Sequence, residues 1–433
     1  WIGGADSKAG GLAVTKLFKS EPLRVQIVTW PGFTPGIWYN KGLKYNKESR
    51  FVKEQSVGVE FLVMDDFTTA LNAYKAGQID ILWCTEDSKP TFIAALATQN
   101  PQTFMLIDKS RGGDVLMVKA NIKTVNDLKG KSVAVALNSP SHSFLLMTLE
   151  AAGMTTADIK IVPVDMAPTA AQFFKARKVD AAVIWSPDDQ DILVNMKDEA
   201  RILTSTRDAT ESIMDVFMVS KNLAESRKKD LTAFAKGWFV ATSEVNASNG
   251  QLQEATRFSA DQFAAPFIAK SANNAYYCTY GDNLNFFGLN SNFTGVTGDR
   301  LYTSMGRRFA AAGVSIGNLP IWAEVSNISL VQNIDLQPTG AHAPEQPKQF
   351  QPRTAAEVAV VPKLATKRVS VQFPSGSAAL SPAMQELLKK EFQGQYGTSA
   401  SDAFATMRYL VTGNTDNVGS KATNKALSFS RAQ

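Results

Sequence analysis

Val59-Glu60-Phe61-Leu62-Val63-Met64, followed by Asp65-Asp66, a face of Phe67, Ala70, Leu71 and Tyr74, the stop Gly77, and the apolar run Ile79–Cys84, decides the reading of the chain. The first run alternates as a strand does, and the two aspartates are candidate caps for a helix whose apolar residues recur at three and four positions. Strand, helix and strand within so short a span make a parallel βαβ unit. The same order returns a hundred positions on: Ile159–Val164, Asp165, a helix carrying Ala170, Phe173 and Phe174, and the strand Val179–Trp185. Asp65 and Asp165, Thr69 and Thr169, Lys75 and Lys175, and Asp80 and Asp180 coincide without a gap. An internal duplication is the reading, and two similar α/β lobes follow from it.

Outward from the repeats, Leu23–Trp30 reads as a strand that ends in a turn forced by Pro31, Gly32, Pro35 and Gly36. Ser132–Leu137 reads as a strand leading through the polar loop Asn138–Ser143 into a helix that ends near Gly153. Residues 222–270 are helical in pattern, and 272–333 mix aromatics with Asn and Gly in a stretch expected to return over the first lobe. The predicted boundaries are 1–22 for an N-terminal tether, 23–333 for a two-lobed domain, 334–367 for a Pro-rich semi-rigid spacer, and 368–433 for a separate C-terminal module that reads as strand Arg368–Phe373, helix Pro382–Phe392, strand Met407–Thr412 and a further helix start at 424–433. Within 23–333, lobe 1 takes about 23–120 plus 231–333, and lobe 2 takes about 121–230.

Composition closes off several classes of function. In 433 residues, 45 Lys+Arg against 40 Asp+Glu leave a net charge of +5 without a basic block, so nucleic acid is not an expected partner. Hydrophobic content of 44% and charged content of 20% suit a globular core. Cys84 and Cys278 lack the spacing of a zinc or redox motif, and neither metal nor other cofactor is expected. Gly130-Lys131-Ser132 resembles the end of a phosphate loop, but Val125 stands where that loop needs glycine. No GxGxxG, GxSxG or HExxH motif occurs, and the two histidines are His142 and His342. Catalysis is not expected. The chain opens at Trp1 with a small, polar run, which suits a tether left after removal of a signal or anchor, so export is the expectation.

Open α/β sheets place ligands at the carboxyl ends of their parallel strands. The loops there supply the candidate ligand-binding residues Trp30, Gly32, Thr34, Glu86, Ser88, Gly113, Asp114, Ser139, Ser141, His142 and Trp185. Hydroxyls, glycine amides and a helix N-terminus can hold an anion without a full counter-charge, and Ser139, Ser141 and Ser143 fit that description. Helix capping is the alternative for each serine, and an ordinary core contact the alternative for each tryptophan. Asp80 and Asp180 read as structural turn residues. Glu86, Asp87, Asp188 and Asp189 would repel an anion, and would equally select a cationic or zwitterionic solute.

Val28-Thr29-Trp30-Pro31-Gly32, Tyr74-Lys75-Ala76-Gly77-Gln78-Ile79-Asp80, Gly112-Gly113-Asp114, Asp127-Leu128-Lys129-Gly130-Lys131, Ser139-Pro140-Ser141-His142 and Val179-Asp180-Ala181-Ala182-Val183 together resemble a known family. It is that of the type II periplasmic solute-binding proteins of the nitrate, sulfonate, taurine and bicarbonate ABC-importer group. The resemblance, over 23–330, implies two lobes that close by a hinge on a small anionic ligand, with importer membrane subunits as partners. A thiamine-pyrimidine synthase of the same fold uses a Cys-rich motif absent here.

Residues 368–433 resemble the start of an OmpA-like peptidoglycan-binding domain. The resemblance is carried by Val371-Gln372-Phe373-Pro374-Ser375-Gly376-Ser377-Ala378, by Gly413-Asn414-Thr415-Asp416-Asn417-Val418-Gly419, and by Asn424, Leu427, Ser428, Arg431 and Ala432. It implies a partial α+β domain in which Asp416 and Arg431, with Asn424, grip the peptide stem of peptidoglycan, and a periplasmic or envelope location of Gram-negative type. Asn414 stands where that family usually has His, and the later strands of such a domain have no counterpart before Gln433, so a continuation or a completing partner is expected. The alternative role is a structural or signalling part of a large envelope assembly whose cleft has degenerated.

Overall fold

A computed structural model describes residues 21–346, 363–393 and 420–432. The strands Leu23–Ile27 (β1), Val59–Val63 (β2), Ile81–Thr85 (β3) and Pro101–Ser110 (β4) come first, then Asp114–Lys119 (β5), Ser132–Ala136 (β6), Lys160–Val164 (β7), Ala181–Trp185 (β8) and Ala200–Ser205 (β9), and last Met214–Ser220 (β10) and Ala275–Tyr277 (β11). They form two sheets, ordered β11-β4-β10-β3-β1-β2 and β7-β6-β8-β5-β9. Each sheet has a parallel trio with the earliest strand in the middle, β2-β1-β3 and β7-β6-β8, as the duplication requires. Each trio is flanked by an antiparallel strand that enters from the other lobe, β10 in the first sheet and β5 in the second.

The chain therefore changes lobes between Ser110 and Asp114 and again between Ser205 and Met214. This moves the expected boundaries near 120 and 230. β5 pairs into the second sheet and β10 into the first, because an apolar run cannot report which sheet its hydrogen bonds join.

The repeat extends to single contacts. Asp80 accepts bonds from the Arg24 backbone N–H at 2.9 Å and from its guanidinium at 2.9 and 2.8 Å. Asp180 accepts from the Ser132 N–H and hydroxyl at 3.0 and 2.9 Å and from Lys119 at 2.7 Å. Both carboxylates tie the third strand of a trio to the first, which bears out their structural reading. The helix Phe67–Lys75 is capped by Asp66, whose side chain accepts from the Thr69 N–H, while Asp65 bonds to Thr29.

Lobe 1 has the larger core. The 18-residue helix Lys228–Val245 buries Trp238 among Phe61, Phe217 and Phe234, with ring centroids 6.2, 5.2 and 5.7 Å away. Gly36 lets the helix Thr34–Asn40 cross this indole closely, since a Cβ there would stand 2.1 Å from the ring. The helix Gly298–Ala311 does more than cover lobe 1. It packs on Lys89–Thr91 of lobe 1 and reaches lobe 2 through Arg308, paired with Glu150 at 2.6 Å, and Phe309, edge-on to His142.

Both described ends of the Pro-rich stretch dock on the body. Glu345 bonds to Arg111 at 2.6 Å, and the Leu364 carbonyl accepts from the Val125 N–H in lobe 2. Beyond it, Pro382–Gln393 is helical as expected, and a second helix spans Lys421–Ala432. Arg368–Phe373 is not a strand, because it meets no pairing partner among the described residues. The tether, the strand expected at 407–412 and Asp416 lie outside the described residues.

Replacing Trp238 by Ala should cost about 3–5 kcal/mol, the usual penalty for truncating a buried aromatic. Urea unfolding of the variant should show the loss as a lowered midpoint.

Candidate functional site

The parallel trios point their carboxyl ends at the seam where the two lobes meet. There the register of the first sheet sets Thr85, Asp215, Asp108 and Tyr277 in a row, each opposite its neighbour across an antiparallel pair. Lobe 2 adds Asp114, which lies opposite Trp185 in the β5–β8 ladder. Asp87 follows β3 by two residues, and the Ser143 hydroxyl of lobe 2 faces it. Asp87 and Asp108 are fully buried, and Asp114 and Asp215 nearly so. Among the described residues, none of these four carboxyls pairs with Lys or Arg.

Indoles hold three of the four. Trp30 Nε1 donates to Asp108 at 3.1 Å, Trp83 Nε1 donates to Asp215 at 2.5 Å, and the Trp185 indole faces Asp114. Ser110 also donates to Asp114, at 2.9 Å. The two predicted glycines act by lacking a side chain. A Cβ on Gly32 would stand 1.8 Å from the Asp108 carboxylate, and one on Gly113 would stand 2.2 Å from the Trp30 ring. They allow Trp30 to lie across the interlobe crossover with its N–H on Asp108.

Burial without a counter-charge disfavours the ionised form of each acid. It pushes Asp87 up to about 8, against the opposing Ser143 and Thr85 hydroxyls. Burial likewise raises Asp108 to about 7, and Asp114 to about 7. Asp215 is raised well above the usual range by burial and then by the facing Asp108.

The remaining sequence candidates divide. Glu86 is spent inside lobe 1 on Lys89 at 2.6 Å and on Thr103 at 2.9 Å, with Lys89 sandwiched between the Tyr302 and Trp322 rings. Ser88 bonds to Thr85 at 2.7 Å and Ser139 donates to the Ala136 carbonyl at 2.7 Å, so both hydroxyls are used locally. Thr34 is buried at the head of its helix. Ser141 lies in the first turn of the helix Pro140–Ala151, fully buried, with no partner for its hydroxyl. His142 accepts the Asn138 N–H on Nδ1, which leaves the proton on Nε2, and burial lowers its pKa to about 4. It is therefore a neutral ring and no reservoir of positive charge.

Of the acids that the sequence sets against an anion, Asp188 pairs with Lys175, and Asp189 is buried. Arg431 of the C-terminal helix donates to the Ser377 carbonyl at 2.9 Å and lies 4.8 Å over the Phe373 ring, while Asn424 sits on the same helix.

Asp108, Asp215 and Trp83 escape a reading by loops because they lie within strands. Their signal is a single Asp inside an otherwise apolar run, as in Met105-Leu106-Ile107-Asp108 and Met214-Asp215-Val216-Phe217. Cys84 and Cys278 are free and buried, and burial pushes both thiols well up, away from the thiolate a nucleophile needs. Among the described residues no group of His, Cys, Asp and Glu is arranged to hold a metal ion.

Two lobes exchanging strands across a polar seam define the periplasmic-binding-protein architecture. Residues 51–238 match the family model for the periplasmic phosphonate-binding protein of ABC transporters. The taurine-binding periplasmic protein of Escherichia coli (strain K12) is 27% identical over 193 residues, which are 44% of this chain and 58% of that protein. The chain thus spans under three fifths of that relative's length. The crystal structure of the periplasmic aliphatic sulphonate binding protein from Escherichia coli shares the fold, with a TM-score of 0.54 at 20% identity over 72% of this chain and 99% of that one. So does the desulfurization enzyme DSZB, with a TM-score of 0.50 at 13% identity over 72% of this chain and 98% of that one.

In the native chain the four aspartates retain protons that the unfolded chain releases near the ordinary value of 3.8. Raised acids contribute stability at low pH that is lost as pH climbs through their folded values. His142 acts in the opposite sense only below its ordinary 6.5. The thermal midpoint should therefore fall between about pH 6.5 and 8, and Asp108→Asn should flatten the fall. A midpoint that rises over that window in calorimetry contradicts this account of the seam.

Proposed function

We propose that this chain is the solute-capturing component of an ABC-type importer in a bacterial periplasm, closing two lobes on a small organic molecule. The observation that carries the reading is the seam itself, where Trp30, Asp87 and Asp108 from one lobe and Asp114, Ser143 and Trp185 from the other meet across the crossovers. A hinge at 111–113 and 206–213 brings both sets together, as hinge closure on a ligand requires. The family match and the taurine-binding relative support a solute of the small sulfonate or phosphonate class, and membrane subunits of an importer as partners. The periplasmic relatives support the same compartment.

The C-terminal motif supports a second attachment, to peptidoglycan, in which the carboxylate of Asp416 would hold the ammonium of a stem diamino acid and Arg431 its carboxylate. The uncompensated acids at the seam favour a second reading, a part of an envelope assembly whose cleft no longer takes an anion.

Isothermal titration of the full chain with small sulfonates, phosphonates and amino acids tests the main reading. Saturable binding that drops at least tenfold, about 1.4 kcal/mol, in Trp30→Ala supports it. A complete lack of binding, together with copurifying envelope proteins, would favour the assembly instead. Sedimentation with purified sacculi tests the attachment: wild type should pellet, and Asp416→Ala and Arg431→Ala should stay in the supernatant.

A further inference from the structure

The geometry points to a docking site behind the hinge for the chain's own residues 343–345, which act there as a latch: docked, they bolt the two crossovers together with the lobes closed, and released, they free the joint. The inference rests on the reading of 111–113 and 206–213 as a hinge and adds the element that governs it.

Main-chain contacts seat the segment on lobe 1. The Thr279 hydroxyl donates to the Ala343 carbonyl at 2.8 Å, and the Glu345 N–H donates to the Asp282 carboxylate at 2.8 Å. Between these bonds Pro344 crosses Gly281, where a Cβ would stand 2.5 Å from the proline nitrogen and 2.8 Å from the His342 carbonyl oxygen. Gly281 lies within the helix Tyr280–Phe286, so the missing side chain serves the approach of the docked segment.

The Glu345 carboxylate then reaches the joint itself. It accepts from Arg111 at 2.6 Å and stands 3.8 Å from the Lys109 ammonium. Arg111, in the first crossover, also donates to the Thr210 carbonyl and to Glu211, both in the second, while its guanidinium lies over the Tyr276 ring. Lys109 pairs with Glu211 at 2.7 Å. One guanidinium thus joins both crossovers, and Glu345 fixes it from outside the sheets. Two cations face two carboxylates here, in a setting where the Lys109, Arg111 and Glu211 side chains are largely buried. Without Glu345, Lys109 and Arg111 would share Glu211, since Asp282 is turned to the Tyr276 hydroxyl and the Thr279 N–H. Removing one member of such a set leaves a charge short of its partner.

Rotation of one lobe against the other concentrates φ and ψ changes in a few hinge residues. A guanidinium bonded across both crossovers resists those changes. The bonds are made with the lobes in contact, through Arg308 on Glu150 and Thr91 on the Asn138 carbonyl, and an interaction made in one of two states shifts the population toward it. Whatever draws residues 343–345 off lobe 1 therefore loosens the joint.

The test uses the full chain and two readouts, amide hydrogen exchange and the distance between spin labels at Lys44→Cys in lobe 1 and Lys160→Cys in lobe 2, both exposed positions. Cys84 and Cys278 are buried and do not compete for the label. In Glu345→Gln, and separately in Gly281→Val, amides of 109–113 and 206–213 should exchange at least tenfold faster than in wild type, and the label distance should spread to longer values. Glu199→Gln, in an exposed pair with Arg177, should change neither. Arg308→Ala, which removes a contact between the lobes, is the reference for opening without the latch. Unchanged exchange at the crossovers, or a distance that lengthens in Arg308→Ala and not in the latch variants, overturns the latch while leaving the hinge. A distance that stays fixed in every variant overturns the latch together with the hinge reading.

Discussion

Like charges set directly opposite in an antiparallel ladder repel one another, and sheets ordinarily avoid the arrangement. Asp108 and Asp215 occupy such positions across β4 and β10, inside the protein. Burial and mutual repulsion keep protons on the pair, and the indoles of Trp30 and Trp83 hold its oxygens in place. Much of the surrounding geometry answers to this placement. Gly32 has no side chain because the Asp108 carboxylate lies against it, and Gly113 has none because Trp30 crosses it. Acids perturbed in this way gather at functional sites.

The same seam is the mechanical joint of the molecule. Three residues carry the chain out of the first sheet and eight bring it back, so the lobes are linked by two short crossovers and by contacts across the cleft. The Arg308–Glu150 pair and the His142–Phe309 contact brace one side. The chain after the second lobe adds a further tie, from Glu345 on Arg111 to Leu364 on Val125. Opening the lobes must break or stretch the contacts that span them, those of Arg308 and Phe309 among them.

The fold was legible because its signals are local. Cap, apolar face and stop recur in order within a few tens of residues, and two copies of the same order reveal a duplication. The structural roles of Asp80 and Asp180 followed from their place just after a helix end. Lobe boundaries were less legible: β5 and β10 are apolar runs, and the sheet that receives such a run is set by distant partners. Of the site candidates, Trp30, Asp114 and Trp185 meet at the seam, and Ser141 lies in the helix turn beside it. Glu86, Ser88 and Ser139, similar in type and position in a loop, turn their polar atoms into local bonds. Residue type and loop position do not separate these outcomes, because the direction of a side chain depends on backbone angles and neighbours.

By itself the sequence determined the two α/β lobes, their kinship and the strand ends where a ligand would lie, since hydrophobic period and turn chemistry are properties of adjacent residues. Only the tertiary structure decided the charge of the seam. Asp87, Asp108, Asp114 and Asp215 come from separate strands and loops of two lobes, and neither their shared burial nor their lack of a basic neighbour exists until those elements are packed together.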